Sequence, residues 1–141
     1  MSKSHKREDY KYFLEIPTRW MDNDVYGHVN NVVYYSFFDT AVNRALIEFE
    51  LLNYNQSEII GLVVETSCTY HRPISFPDVI EAAFKIDKLG NSSIRYNLAL
   101  FKKDESEPCA TGYFVHVYVD RLTRKPRQLP HQFREKLENL K

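Results

Sequence analysis

This 141-residue chain has four glycines, two cysteines and no formal net charge, and each of these features excludes some classes of protein. With only four glycines and no glycine-rich run, a backbone loop that cradles phosphate is not expected. Lysine plus arginine and aspartate plus glutamate both number 19, so the chain has no overall basic field for nucleic acid. No apolar run approaches the ~20 residues of a membrane-spanning helix. We therefore predict that the protein binds neither nucleic acid nor membrane.

The two cysteines, Cys68 and Cys109, both lie inside apolar strand-like runs, which favours buried thiols over a disulfide. The polar start of the chain does not resemble a secretory segment, so we predict a cytoplasmic location. The sequence has no Gly-x-Ser-x-Gly elbow, and no pair of its histidines has the spacing of a zinc site. We expect no metal and no cofactor. The scattered histidines are His5, His28, His71, His116 and His131.

Composition and length predict one domain over residues 1–141, with 43% hydrophobic residues available for a single core. Residues 1–9 are charged and lack apolar periodicity, so we interpret them as a mobile lead-in. From Tyr10 to Trp20 the apolar residues alternate as in a strand, and Pro17 argues for an edge position or for a bulge near the end of the strand. After Asn31, apolar residues recur every three or four positions as far as Leu52, which predicts one long amphipathic helix.

The rest of the chain alternates in the manner of strands joined by short turns. Gly90 and Asn91 supply a hairpin turn, and residues 131–140 form a short C-terminal helix. The predicted strands are Val63–Arg72, Val79–Lys88, Ile94–Leu100 and Cys109–Val119. This order predicts an α+β protein in which an antiparallel sheet of about five or six strands wraps around one long central helix. The last strand is apolar on both faces, which indicates burial by another subunit.

The most concentrated polar chemistry lies in the stretch 18–39, where a strand passes through an aspartate-rich loop into the helix. Asn30 and Asn31 mark the helix start, where unpaired N–H groups can stabilise a developing oxyanion. A carbonyl held there would have its carbon near Asp24, which could then act as a nucleophile or as a general base for water. These two routes stay open. Asp22 is interpreted as a turn former.

Four other residues are candidates for the site, each with a plainer alternative. His28 either hydrogen-bonds backbone and locks the loop or takes part in the chemistry. Tyr34 and Tyr35, one turn into the helix, belong either to the core or to the lining of an acyl pocket. Glu65, in an otherwise apolar strand, is either exposed to solvent or a carboxylate in the pocket.

The pattern Asp-x-Asp-x-x-Gly-His-Val-Asn-Asn over residues 22–31, followed by Tyr34, resembles hotdog-fold acyl-CoA thioesterases of the 4-hydroxybenzoyl-CoA thioesterase-like group. The run 70–73 and Asp78 resemble the second strand of that family and the turn that follows it. The resemblance implies that Asp24 is catalytic and that the backbone amide of Asn31 polarises the thioester, with Gly27 and Asn30 framing the corner. A similar run in acyl-carrier-protein thioesterases implicates His28.

The resemblance further implies a homodimer or homotetramer whose pocket lies at the subunit interface, with acyl-CoA as substrate and the phosphates of coenzyme A held by basic side chains. The basic candidates are Arg72, Lys102, Lys103, Arg121 and Arg124. The alternative function is a non-hydrolytic hotdog protein that binds acyl-CoA, or one that acts on acyl-ACP, the acyl form of acyl carrier protein. A dehydratase is disfavoured, because His28 with Glu48 or Asp39 substitutes poorly for the histidine and acid that reaction needs.

Overall fold

Five strands and two helices make up the computed structural model, which describes residues 6–53 and 56–141. Short 3₁₀ turns occur at Arg7–Asp9 and Trp20–Asp22. The strands and helices are β1 (Tyr12–Pro17), α1 (Asn31–Glu48), β2 (Ile59–Tyr70), β3 (Val79–Leu89), β4 (Ser93–Lys102), β5 (Pro108–Asp120) and α2 (His131–Glu138). Neither helix is both long and apolar enough to span a membrane among the residues described.

The strands form one antiparallel sheet in the order β1-β3-β4-β5-β2, so β1 and β2 are its two edges. Pro17 lies in an edge strand, as predicted from its missing N–H donor. β3 and β4 are joined at Gly90, whose N–H donates to the Ser93 carbonyl at 2.8 Å, which confirms the predicted hairpin.

Helix α1 packs on one face of the sheet, over β1, β3 and β4. The helix begins at Asn31, as predicted, but it ends at Glu48 rather than at Leu52. Glu50 has φ of 60°, a left-handed conformation that stops the helix, and the Leu51 N–H turns back to the Leu46 carbonyl at 2.8 Å. The buried residues of α1 are Tyr34, Phe37, Phe38, Ala41, Val42, Ala45 and Leu46.

The prediction of a mobile lead-in through residue 9 is wrong at its C-terminal end. Arg7 donates to the Glu105 carbonyl at 2.8 Å, pairs with Glu81, and places its guanidinium 4.7 Å from the centre of the Phe101 ring. These contacts hold the segment against the sheet face opposite α1. A guanidinium group that is both stacked on a ring and ion-paired loses little additional conformational entropy when it is held in place. Residues 1–5 lie outside the described part of the chain.

Strand β5 presents large side chains to both faces of the sheet, as its sequence indicated. Phe114, His116 and Tyr118 are buried on the inner face, beneath α1 and α2. Phe133 of α2 packs against Tyr118, with ring centres 5.2 Å apart. On the outer face Tyr113, Val115 and Val117 are partly exposed in the single chain, and the predicted burial of this face by another subunit stays a prediction.

Candidate active site

The loop between β1 and α1 folds back on itself and brings the predicted site residues into one corner. Asn23 and Val29 form an antiparallel bridge, and the Asp24 N–H donates to the His28 carbonyl at 2.8 Å. The Gly27 N–H donates in turn to the Asp24 carbonyl at 3.1 Å. Gly27 has φ of 82°, which a residue without Cβ adopts at little cost, so the chain can reverse there.

Asp22 is almost fully buried, at 1% exposure, and it accepts hydrogen bonds from the backbone around it. Its carboxylate accepts the Arg19 N–H at 2.7 Å and the Arg19 guanidinium at 2.9 Å, which closes the 3₁₀ turn. Its carbonyl accepts the Asn30 N–H at 2.8 Å, so the same residue also positions the approach to α1. The geometry agrees with the interpretation of Asp22 as a residue that shapes the turn.

Asp24 lies two residues further on and has a different environment. One carboxylate oxygen, Oδ1, accepts the Tyr26 N–H at 2.8 Å. For the other oxygen, no donor is found in the described part of the chain. One hydrogen bond therefore orients the carboxylate, and the second oxygen can meet a substrate or a water molecule.

The start of α1, the next element along the chain, provides a free hydrogen-bond donor. Asn30 caps the helix by accepting the Val32 N–H on its side chain at 3.2 Å, and its carbonyl accepts the Val33 N–H at 2.9 Å. The Asn31 N–H has no acceptor within residues 6–53 and 56–141. This amide points out of the positive end of the helix dipole, where it can bind a carbonyl oxygen that gains negative charge.

The remaining predicted residues of this corner divide between surface and core. His28 is exposed; its carbonyl holds the Asp24 N–H, and its ring has no hydrogen-bond partner in the residues described. Tyr34 is buried at 4%, and burial raises the pKa of its hydroxyl. Its ring lies edge-on to Tyr70, with ring centres 4.8 Å apart. Tyr35 is partly buried, on the flank of the helix beside the core.

Tyr70 also lies at this corner, although its residue type alone did not predict that position. The end of β2 carries it to the start of α1, where its hydroxyl donates to the Asn31 carbonyl at 3.0 Å. Burial is the largest cause that raises the pKa of Tyr70, so the hydroxyl stays a donor at neutral pH. The contact ties the helix start to the sheet edge, and its only sequence signal was the run Tyr70-His71-Arg72-Pro73.

The segment that follows β2 braces the Asp24 loop from the other side. The Ile74 carbonyl accepts the Val29 N–H at 2.7 Å, and the Ser75 hydroxyl donates to the Gly27 carbonyl at 2.9 Å. The Phe76 N–H donates to the Asn23 side chain at 3.1 Å. Three crossing hydrogen bonds thus fix the loop that holds Asp24.

Glu65 does not join this corner. A bulge in β2 pairs Val63 with His116 but Glu65 with Val115, which lies on the outer face of the sheet. There the Glu65 carboxylate accepts a hydrogen bond from the Tyr113 hydroxyl and is exposed. The structure therefore gives no support for Glu65 as a pocket carboxylate and agrees with the alternative, in which Glu65 is exposed to solvent.

Arg72 binds the turn between β4 and β5 rather than the Asp24 loop. Its guanidinium donates to the Glu107 carbonyl at 2.6 Å and lies 3.2 Å from the Glu105 carboxylate. Two other basic candidates for the phosphates of coenzyme A are also in ion pairs, Lys102 with Asp78 and Lys103 with Glu15. These pairs are at least partly exposed, so a phosphate could compete for each cation.

The residues described provide no cluster of three or more histidine, cysteine, aspartate or glutamate side chains able to hold a metal ion. Cys68 and Cys109 are both free, and burial raises the pKa of each thiol, which keeps them protonated and unreactive.

Comparison with known proteins identifies relatives of this arrangement. The long-chain acyl-CoA thioesterase FadM of Escherichia coli is 27% identical over 127 residues, which are 89% of this chain and 96% of FadM. The PA5185 protein of Pseudomonas aeruginosa is 51% identical with a TM-score of 0.93, covering 96% and 95% of the two chains. A Thermus thermophilus thioesterase, solved with coenzyme A and zinc, is 28% identical with a TM-score of 0.79, covering 94% and 96%.

The fold and the sequence agree on one family. The antiparallel five-stranded sheet with one long helix confirms the predicted hotdog fold. The family model described as the thioesterase-like superfamily matches residues 18–137, from the end of β1 to the last turn of α2. The match contains the whole corner built by Asp24, Asn31 and Tyr70, and the chain belongs to the thioesterase-like superfamily.

Proposed function

We propose that this thioester hydrolase cleaves acyl-CoA to the free acid and coenzyme A, using Asp24 and the backbone amide of Asn31. The observation that carries the proposal is the pairing of an oriented carboxylate with an amide that lacks an acceptor within the described residues, at the N-terminus of α1. Membership of the thioesterase-like superfamily supports the reaction type. Hydrolysis by FadM of long-chain acyl-CoA, as its name states, supports the substrate class.

Two routes fit the geometry, and each consumes one water molecule. In the nucleophilic route, Asp24 attacks the thioester carbon, the C–S bond breaks with release of the coenzyme A thiolate, and water then hydrolyses the mixed anhydride. In the general-base route, Asp24 takes a proton from water while the oxygen of that water attacks the same carbon. In both routes the Asn31 N–H stabilises the negative charge on the carbonyl oxygen.

We also propose that the active enzyme is a homodimer, or a pair of dimers, in which a second copy completes each pocket. Large apolar side chains surround Asp24 at the surface, with exposed fractions of 74% to 93%: Trp20, Met21, Val25 and Tyr26. Strand β2 is a long edge that also exposes Leu62, Val63 and Val64. Exposed apolar side chains, both in this loop and on an unpaired strand edge, are typical of interfaces between subunits. A cytoplasmic location stays a prediction.

The first experiment is a free-thiol release assay on short, medium, long and aromatic acyl-CoAs, comparing the wild-type protein with Asp24→Asn. We expect Asp24→Asn to lower kcat at least about 100-fold, the usual contribution of a positioned acid or base. Asp104→Asn is the matched control, because Asp104 is an exposed turn residue between β4 and β5. It should leave turnover unchanged.

Three outcomes would contradict the proposal. Near-normal turnover by Asp24→Asn would show that another group is the catalytic carboxylate. Tight binding of acyl-CoA by the wild-type protein with no thiol release from any substrate would favour the non-hydrolytic alternative. Hydrolysis of acyl-ACP but not of acyl-CoA would assign the same chemistry to a different carrier.

A further inference from the structure

Tyr70 forms a hydrogen bond with Asn31, the residue whose amide is the proposed oxyanion donor. Its hydroxyl donates to the Asn31 carbonyl at 3.0 Å, and no other side chain in the described part of the chain is bonded to the backbone of Asn31. The two residues are 39 positions apart, so this contact joins the end of β2 to the first residue of α1. A carbonyl oxygen has two lone pairs and can accept this bond beside its helical one.

The ring that carries this hydroxyl is held by its neighbours. It packs edge-on to Tyr34, which is 4% exposed, with ring centres 4.8 Å apart. Immediately after Tyr70, the N–H groups of His71 and Arg72 both donate to the Cys109 carbonyl, at 2.8 Å and 3.1 Å. These two bonds fasten the end of β2 to β5, so the hydroxyl reaches Asn31 from a rigid support.

The hydroxyl of Tyr70 acts as a donor at neutral pH. Burial is the largest cause that raises the pKa of this side chain, so the phenol stays protonated. The Cys68 thiol, two residues earlier on the same face of β2, lies beside the hydroxyl. Sulfur is a weaker acceptor than a carbonyl oxygen, so the Asn31 carbonyl is the preferred partner.

The peptide group that carries the Asn31 N–H lies between two anchors. On its N-terminal side the Asn30 N–H donates to the Asp22 carbonyl at 2.8 Å, and on its C-terminal side the Asn31 carbonyl accepts the Tyr70 hydroxyl. The first turn of a helix lacks part of its intrahelical bonds and frays easily. An oxyanion donor must lie about 2.7–3.1 Å from the developing charge, so a small movement of this peptide would weaken stabilisation of the transition state.

We propose that Tyr70 is a positioning residue for thioester cleavage, whose hydroxyl holds the first residue of α1 so that the Asn31 amide meets the oxyanion. The inference rests on the proposed acyl-CoA thioesterase function and deepens it. Tyr70 transfers no proton and makes no contact with the substrate. Because it acts through an interaction that strengthens in the transition state, its loss should lower kcat rather than raise KM.

The variant Tyr70→Phe removes only the hydroxyl and keeps the ring against Tyr34. In the thiol-release assay we expect kcat to fall about tenfold, because the amide is still present but is held less precisely. KM should stay within about twofold of the wild-type value. Tyr113→Phe is the matched control, since its hydroxyl donates to Glu65 on the outer face of the sheet, and it should leave kcat and KM unchanged.

The variant Asn31→Pro removes the N–H through which Tyr70 is proposed to act. Asn31 is the first residue of α1, where the fixed φ of proline fits a helix, and Asn30 has ψ of 138°, an extended conformation that suits the residue before a proline. The N–H has no acceptor within the described residues, so its removal breaks no hydrogen bond found there. We expect kcat to fall about 100-fold or more, with a near-normal free energy of unfolding.

The double variant Tyr70→Phe/Asn31→Pro separates positioning from a purely structural role. Once the N–H is absent, the Tyr70 hydroxyl has no oxyanion donor to position. The kcat of the double variant should therefore match that of Asn31→Pro within about twofold. The wild-type protein and the three variants are compared at a temperature at which urea unfolding shows that each is folded.

Three results would overturn the inference alone, given a wild-type protein that releases thiol. These are an unchanged kcat in Tyr70→Phe, losses of kcat that multiply in the double variant, and a raised KM with normal kcat. The last result would place the hydroxyl, on a side chain that is 43% exposed, against the substrate. Near-normal kcat in Asn31→Pro would refute the proposed oxyanion donor and the role of Tyr70 together. No thiol release by the wild-type protein would refute the proposed function, and this inference with it.

Discussion

Asp22 and Asp24 are the same residue type two positions apart, and their surroundings give them different roles. Asp22 is buried and accepts three hydrogen bonds from Arg19, whereas Asp24 keeps one oxygen without a donor in the described chain. The sequence already indicated this division, because Asp24 is the nearer of the two aspartates to the helix start along the chain. What the sequence could not show is that Asp22 would be the more buried of the two.

Asp22→Asn should affect stability more than chemistry. The asparagine amide has only one acceptor oxygen, so either the Arg19 N–H or the Arg19 guanidinium loses its acceptor on the buried side chain. We expect this loss to lower the free energy of unfolding by about 1–2 kcal/mol. We expect a lower urea midpoint with an unchanged m-value, and a kcat within a few-fold of wild type at a temperature where the variant is folded. A large fall in kcat with normal stability would mean that Asp22 takes part in catalysis.

His116 should make the protein less stable in acid. Its pKa is lowered by burial from 6.5 to about 4 in the folded state, so between these values the unfolded chain binds more protons than the folded one. Stability is therefore fully present above pH 6.5 and falls as the pH drops toward 4, by about 3 kcal/mol at ~1.4 kcal/mol per pH unit. Urea unfolding at pH 7 and pH 4.5 measures the difference.

His116→Gln is the control for this pH dependence. Glutamine does not titrate, so the difference in unfolding free energy between pH 7 and pH 4.5 should shrink by most of the His116 contribution. A difference that is unchanged in His116→Gln would assign the acid sensitivity to other groups and show that His116 titrates alike in the folded and unfolded chain.

At the level of the elements, local sequence patterns predicted the features that depend only on residues close together in the sequence. The start of α1 at Asn31, the hairpin at Gly90 and the edge position of Pro17 follow from capping, turn chemistry and a missing N–H. Arg7 was missed because its charge suggested a solvated tail. Its partners, Phe101 and Glu105, lie more than ninety positions away in sequence, and no local pattern reveals such contacts.

The bulge in β2 explains why Glu65 was a poor candidate for a carboxylate in the acyl pocket. Strict alternation would place Glu65 on the same face as Val63, which pairs with the inward-facing His116. The extra residue, Val64, shifts the pairing by one position, so Glu65 faces outward with Val115. Nothing in the apolar run 62–64 indicates where the strand gains a residue, so a sequence pattern cannot predict this inversion.

The conformation of the loop between β1 and α1 depends on Gly27, and substitution of this glycine gives a further prediction. A Cβ at Gly27 would meet no atom within 4 Å, so the cost of Gly27→Ala is backbone strain at φ of 82°, about 1–2 kcal/mol. We expect reduced kcat, because a loop that relaxes this angle moves the Asp24 carboxylate away from the Asn31 amide. Gly27→Asn should lose less activity and stability, since asparagine tolerates left-handed backbone better than alanine. Equal losses in the two variants would contradict this account.

At the level of the whole molecule, the proposed dimer can be tested at the free edge of β2. Val64 is 59% exposed there, and Val64→Lys would place a charge in any interface that covers this edge. Light scattering of the wild-type protein at micromolar concentration should report at least twice the 16.7 kDa of one chain. Val64→Lys should shift the particle toward that single-chain mass and lower activity. A wild-type particle of 16.7 kDa would refute the dimer.

The strand order has a consequence for the sequence of events in folding. β3, β4 and β5 are consecutive in the chain and adjacent in the sheet, whereas β1 pairs with β3 across α1 and β2, and β2 pairs with β5 across two strands. Ordering a long intervening loop costs entropy before its contacts form, so we expect the three-strand meander to form first and the two edges to dock late. The corner around Asp24 lies between β1, α1 and the end of β2, so catalytic competence should appear only in the last kinetic phase of refolding.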